Sequence, residues 1–148
     1  MAGRGLPTAV IDEAASPKTL PNHPIHLGLD GNAVPLPAID SERWYDEYLA
    51  RFAGDGTQGR LISQFSFSEN WESWEMHPHG DEIVLCIAGT MVLHQQSETG
   101  ETATVTLKSG DYAINPAGWW HTADATTQVT AIFITTAYGT IHRAREAS

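Results

Sequence analysis

The chain has 148 residues, 41% of them hydrophobic, and 18 acidic against 8 basic side chains give a formal net charge of −10. That length builds one domain with a sizeable core. The lack of clustered Lys and Arg argues against nucleic acid or an anionic membrane as a partner. No apolar run approaches the roughly 18–20 residues of a membrane span, the N-terminus lacks the apolar stretch of a signal peptide, and Cys86, the only cysteine, excludes an internal disulfide. The reading is a soluble, cytoplasmic protein.

Residues 1–40 form an extended arm, because Pro21, Pro24, Pro35 and Pro37 forbid a long helix there. Its apolar side chains, Leu20, Ile25, Leu27, Leu29, Val34 and Leu36, can cover a sheet or add a strand to a neighbouring subunit's sheet edge. His23 and His26 are read as surface or packing residues. A helix follows in "SERWYDEYLARFAG", capped by Asp40 or Ser41, with Glu42 in its first turn and Gly54 at its end. Trp44, Tyr45, Tyr48, Leu49 and Phe52 recur at the helical period and form a packing face without chemistry.

From Arg60 the texture changes to short stretches rich in β-branched and aromatic residues, separated by Gly, Asn, Asp and Ser: "RLISQFSF", "WESWEMH", "EIVLCIA", "TMVLHQQ", "TATVTL", "DYAIN", "WWHTA" and "QVTAIFITT". With no helix between them, they predict an antiparallel sandwich or barrel. The terminal "YGTIHRAREAS" gives no clear element. The domain is read over 41–148, with the barrel at about 60–136.

The chemistry concentrates in Trp74–Glu82, "WEMHPHGDE". Side chains two apart on a strand share a face, so Glu75, His77 and His79 point one way, and Pro78 biases His77 towards the extended region. Neutral imidazoles converging from one strand are a natural start for a metal site. Glu82 opens the apolar run "IVLCIA", and an acid there must be paired, hydrogen-bonded or metal-bound. A turn or bulge at Gly80-Asp81 brings it back to the same side, with Asp81 as a turn residue. Some forty residues on, "GDYAINPAGWWH" places Pro116 at the second position of a tight turn, Gly118 at its exit, and His121 early on the next strand.

These two segments resemble the motifs of the cupin superfamily. The second motif, G-x5-P-x-G-x2-H-x3-N, is met by Gly110, Pro116, Gly118 and His121, with Ala125 where its Asn belongs. The first, G-x5-H-x-H-x3–4-E-x6-G, is met by Glu82 and Gly89, with Trp71 at its leading Gly and one residue too few between His79 and Glu82. The resemblance implies an all-β fold: a double-stranded β-helix, the cupin jelly-roll barrel, with one N-terminal helix and the extended arm. It also implies a divalent transition metal (iron, manganese, zinc or nickel) held by His77, His79, Glu82 and His121. The short spacing allows a second alignment, in which His77 takes the second His position, Glu75 the first, and His79 becomes a loop residue.

On that footing the protein binds or acts on a small organic molecule inside the barrel, with dioxygenase-, isomerase- or lyase-like chemistry as one outcome. A sensor without turnover, or a metal-free scaffold, is the other. Glu82 is an alternative base, and Tyr112, Trp119, Trp120 and Met91 are candidate pocket or rim residues. Cys86 and His94 are read as packing and strand residues, and a homodimer is the expected assembly.

Overall fold

The computed structural model describes residues 16–146. In chain order they form β1 (Ile25–Leu27), β2 (Ala33–Pro35), α1 (Glu42–Arg51), β3 (Arg60–Phe67), β4 (Ser73–Met76), β5 (Glu82–Ala88), β6 (Thr90–Gln96), β7 (Thr102–Lys108), β8 (Tyr112–Asn115), β9 (Trp120–Ala125), β10 (Val129–Thr135) and β11 (Ile141–Ala144). Two sheets result, ordered β2-β1-β3-β10-β5-β8 and β11-β4-β9-β6-β7. Among the described residues the strands pair antiparallel, and strands distant in sequence become neighbours, as in a jelly-roll barrel. The arm up to residue 15 lies outside the described residues.

Alternation sets the inside of the barrel. On β5, Glu82, Val84 and Cys86 are buried, and on β10 Val129, Ala131, Phe133 and Thr135 are. With Met91, Leu93, Leu107 and Ala123 the apolar members form one core, each large side chain contributing about 1.5–3 kcal/mol by leaving water. The β5–β6 turn needs glycine: Gly89 has φ +79, and a Cβ there would stand 2.1 Å from the Gln128 carbonyl oxygen. Cys86 is buried, as expected, and burial pushes its thiol pKa up, which keeps it inert.

The helix buries Trp44 and Tyr48 with Leu36 and Leu61, a second small core distinct from the first. Ser41 occupies the N-cap position, but its hydroxyl makes no capping bond and donates to Asp40 instead. The α-helix stops at Arg51 rather than at Gly54, which sits in a following 3-10 turn, Ala53–Asp55.

The described part of the arm folds onto its own chain, with β1 paired to β3 and β2 to β1. His26 fastens it: its Nδ1 lies 2.6 Å from the Tyr48 hydroxyl, its Nε2 2.6 Å from Asp55 Oδ2, and its ring stacks on Phe52 at 3.7 Å. Desolvation, with the Asp55 charge, pushes the Tyr48 phenol up to about 12, so it remains a hydrogen-bond donor. The C-terminal residues that gave no clear element form β11, an edge strand on β4. All four of its residues are exposed, so there was no apolar alternation to read.

Candidate metal centre

Strand β4 ends at Met76, and His77 begins the loop to β5. This loop, Pro78-His79-Gly80-Asp81, makes the turn expected of it and returns the chain so that Glu82 faces inward. Asp81, at the end of the loop, accepts the Ala117 N–H at 2.8 Å and so ties the loop to the other segment. On the other segment the turn is shifted by one residue from expectation. Trp119 N–H donates to the Pro116 carbonyl, so Pro116 is the first turn residue, and Gly118, with φ +79, is the third. The Gly118 N–H donates to the His77 carbonyl at 3.0 Å. The two segments are therefore tied backbone to backbone, and His121 on β9 stands opposite Glu75 on β4.

Glu75, His77 and His121 come together as potential metal donors, their donor atoms within 4.8 Å of one another. Glu75 Oε2 is 3.9 Å from His77 Nε2 and 3.6 Å from His121 Nε2. Glu82 lies between the same two rings, with its two oxygens 3.1 Å from His77 Nε2 and His121 Nε2. The rings are 5.1 Å apart between centroids. His77, Glu82 and His121 are all buried, and Glu75 is half-buried. His79 is placed elsewhere: it is exposed, and its ring packs beside Tyr138, 5.5 Å away, and against Gly139.

Both Glu82 oxygens are also held from behind. Asn115 Nδ2 donates to Oε1 at 2.9 Å and Thr135 Oγ1 to Oε2 at 2.5 Å. Gln95 Nε2 in turn donates to Asn115 Oδ1 at 2.8 Å, which fixes the amide. A carboxylate has about four lone-pair sites, so Glu82 can accept these bonds and still face the imidazoles. Burial by itself raises the Glu82 pKa, but the imidazoles of His121 and His77 overcome it and hold the carboxyl far below the usual range. Burial lowers the His121 pKa, but Glu75 and Glu82 outweigh it and raise it to about 9. Glu75 falls to about 2: desolvation and the Glu82 charge raise it, and His121 and His142 more than offset them.

The donor set fits a metal. Among the described residues, His77 Nε2 and His121 Nε2 are buried and lack any aligned hydrogen-bond partner, although each lies 3.1 Å from a carboxylate oxygen. Buried polar atoms are rarely left this way without a reason. Donors about 3–4 Å apart also suit one ion with bonds of about 2.1 Å. Two imidazoles with carboxylates suit zinc, iron or manganese.

Of the aromatic residues considered for a pocket, Tyr112 lies exposed, and Met91, considered with them, is fully buried in the core. The Trp120 ring stacks under the Arg143 guanidinium, 4.4 Å away. The wall beside the donors is built instead from Trp71, 6.4 Å from the His121 ring, with Phe133 and Phe67 packed on it. Sequence reasoning also missed Asn115 and Thr135, which hold Glu82, and Tyr45 of α1, whose pKa is raised by burial and by the nearby Glu75 charge. Asn115 and Thr135 could have been found from their inward parity, Tyr45 only from the folded chain.

Residues 67–137 match the family description "Cupin domain". No curated protein matches the chain. Among solved structures, a recombinant oxalate oxidase in complex with glycolate superposes with a TM-score of 0.51 at 15% identity, over 63% of this chain and 50% of that one. The coconut allergen cocosin gives 0.50 at 16%, over 57% and 23%. Hydroquinone 1,2-dioxygenase from Sphingomonas sp. TTNP3 gives 0.47 at 15%, over 51% and 58%. The chain thus spans at most 58% of the length of these three structures, and the likeness concerns their fold.

Proposed function

The chain belongs to the cupin superfamily, and on that footing we propose that it holds a divalent transition metal through Glu75, His77, Glu82 and His121 and binds a small organic molecule there. The observation that carries this reading is the meeting of two buried Nε2 atoms, neither in an aligned hydrogen bond, at shared carboxylates. Of the two alignments left open by the sequence, the geometry supports the one with Glu75 in the first His position, since His79 packs beside Tyr138 instead.

When bound, the metal would supply Lewis-acid polarisation of a ligand oxygen or, if redox-active, oxygen chemistry. The chain's own part is to offer imidazole nitrogens and carboxylates, to hold Glu82 ionised through Asn115 and Thr135, and to keep water off one side with the Trp71–Phe133 wall. A molecule with an oxygen donor on an aromatic or aliphatic body suits these surroundings, and oxidative cleavage, isomerisation or elimination are the reaction classes they favour. A second reading, a binding module without turnover, is supported by Glu82 itself, because both its oxygens are tied by hydrogen bonds and so ill placed to shuttle a proton.

The test is elemental analysis of protein purified without added metal, repeated on His77→Ala and His121→Ala. Stoichiometric metal, lost in both variants, is expected. Absence of metal from the parent chain under every loading condition would overturn the proposal. Oxygen uptake and product formation across small diketones, phenols and thiols then separate enzyme from binder.

The assembly we propose is a cytoplasmic homodimer. It is supported by the outward row Ile62, Ile134, Ile83 and Ile114, which crosses β3, β10, β5 and β8 in register with no charge in it. Sedimentation equilibrium of the parent chain and of Ile83→Glu tests it.

A further inference from the structure

Two contacts to the donor residues come from chain beyond the matched domain, which ends at residue 137. Strand β11 lies against β4 with His142 directly opposite Glu75, and β9 lies on the other side of β4 with His121 opposite Glu75. His142, Glu75 and His121 therefore form one row across three strands. The His142 Nε2–H donates to Glu75 Oε1 at 3.2 Å, while Oε2 faces His121 and His77. Without that bond the half-buried Glu75 carboxylate is free to rotate toward solvent.

Thr140, in the loop before β11, does the same for His77. Its hydroxyl donates to the Ala137 carbonyl at 2.9 Å, so its single proton is spent. The 2.8 Å contact between Thr140 Oγ1 and His77 Nδ1 is then an Nδ1–H donating to the hydroxyl oxygen. That assignment keeps a proton on His77 Nδ1 and so reserves Nε2, the nitrogen facing Glu82 and Glu75, for a metal.

We propose that Thr140 and His142 are positioning residues of the metal centre: Thr140 sets the tautomer and ring orientation of His77, and His142 aims the carboxylate of Glu75. The inference rests on the metal-binding reading above. It assigns the segment after residue 137 a role at the metal centre beside its packing on Trp120 and Asp124.

The experiment measures the zinc dissociation constant by competition with a chromophoric chelator, and the visible absorption of the cobalt-loaded protein, for matched variants. His142→Leu keeps bulk without a donor, and His142→Gln restores an N–H. Thr140→Val removes the hydroxyl, and Thr140→Ser restores it. Loss of such an orienting partner weakens metal binding by about ten- to a hundredfold. That loss, with an altered cobalt spectrum, is expected for Leu and Val, and values close to the parent chain for Gln and Ser. In a Glu75→Ala background, His142→Leu should cost nothing further, because His142 acts through Glu75.

Unchanged affinity in His142→Leu and Thr140→Val, or an equal loss without Glu75, overturns the inference while leaving the metal centre standing. Failure of the parent chain to bind zinc or cobalt at all overturns the metal centre, and this inference with it.

Discussion

Replacing Glu82 by Gln in the metal-free protein removes a charge from the middle of the site while keeping its shape. Glu82 is 2% exposed and accepts from Asn115 at 2.9 Å and Thr135 at 2.5 Å, with imidazole nitrogens 3.1 Å away on both oxygens. A glutamine turns one oxygen into an NH2, which meets the Asn115 amide donor at Oε1 or, at Oε2, makes the Thr135 hydroxyl turn round and accept. It also leaves His121, whose pKa stands at about 9, without its nearest counter-charge. Breaking a buried pair in this way costs about 3–5 kcal/mol. Glu75, 3.6 Å from His121 Nε2, offsets part of this and puts the expectation near 3 kcal/mol, or about 9 °C in Tm for a chain of this size. Urea unfolding of chelator-treated protein, followed by tryptophan fluorescence, measures it, since Trp71 lies 6.4 Å from the His121 ring. A loss below about 1 kcal/mol, the worth of an ordinary neutral hydrogen bond, would refute the view of Glu82 as an ionised, paired, buried carboxylate.

Metal-free stability should also depend on pH in a defined window. His121 is raised from 6.5 to about 9, so its contribution is complete below pH 6.5 and is lost as pH climbs through about 9. Glu75 is lowered from 4.5 to about 2, so its contribution is complete above pH 4.5 and is lost as pH falls through about 2. Both hold between these limits, and a urea midpoint that fails to decline from pH 6 to 9 would contradict the His121 assignment. Glu75→Ala should weaken zinc binding at least about tenfold, whereas His79→Ala should leave it near the parent value; chelator competition on the two variants checks this, and the reverse order would restore His79 as the ligand. His26→Ala removes two hydrogen bonds and a ring stacked at 3.7 Å, so a loss of about 2–4 kcal/mol is expected. Because the contacts of His26 belong to the second core and not to the donor residues, the folded fraction should keep its zinc stoichiometry, measured alongside the melt.

What could be read from the chain alone follows from local rules. Stretches rich in β-branched and aromatic residues, bounded by turn residues, located β3, β5 and β6 to the residue and the other long strands to within a residue or two. Their succession without helices predicted an antiparallel sandwich or barrel, and the resemblance of the two His-bearing segments to cupin motifs implied a jelly roll. Strand parity placed Glu75, His77 and His79 on one face but could not choose among them, because parity is blind to where a strand ends. That choice is tertiary: β4 stops at Met76, the turn carries His79 out to Tyr138, and Glu75 stays opposite His121. From the sequence His142 reads as a solvated residue and Thr140 carries no signal, for a related reason. An exposed edge strand carries no apolar pattern, and a hydroxyl 63 positions from the histidine it orients reaches it only when the last strand closes against β4. Local sequence determines which segments are strands and where they turn; which side chains converge depends on contacts between distant strands, and only the folded barrel makes them.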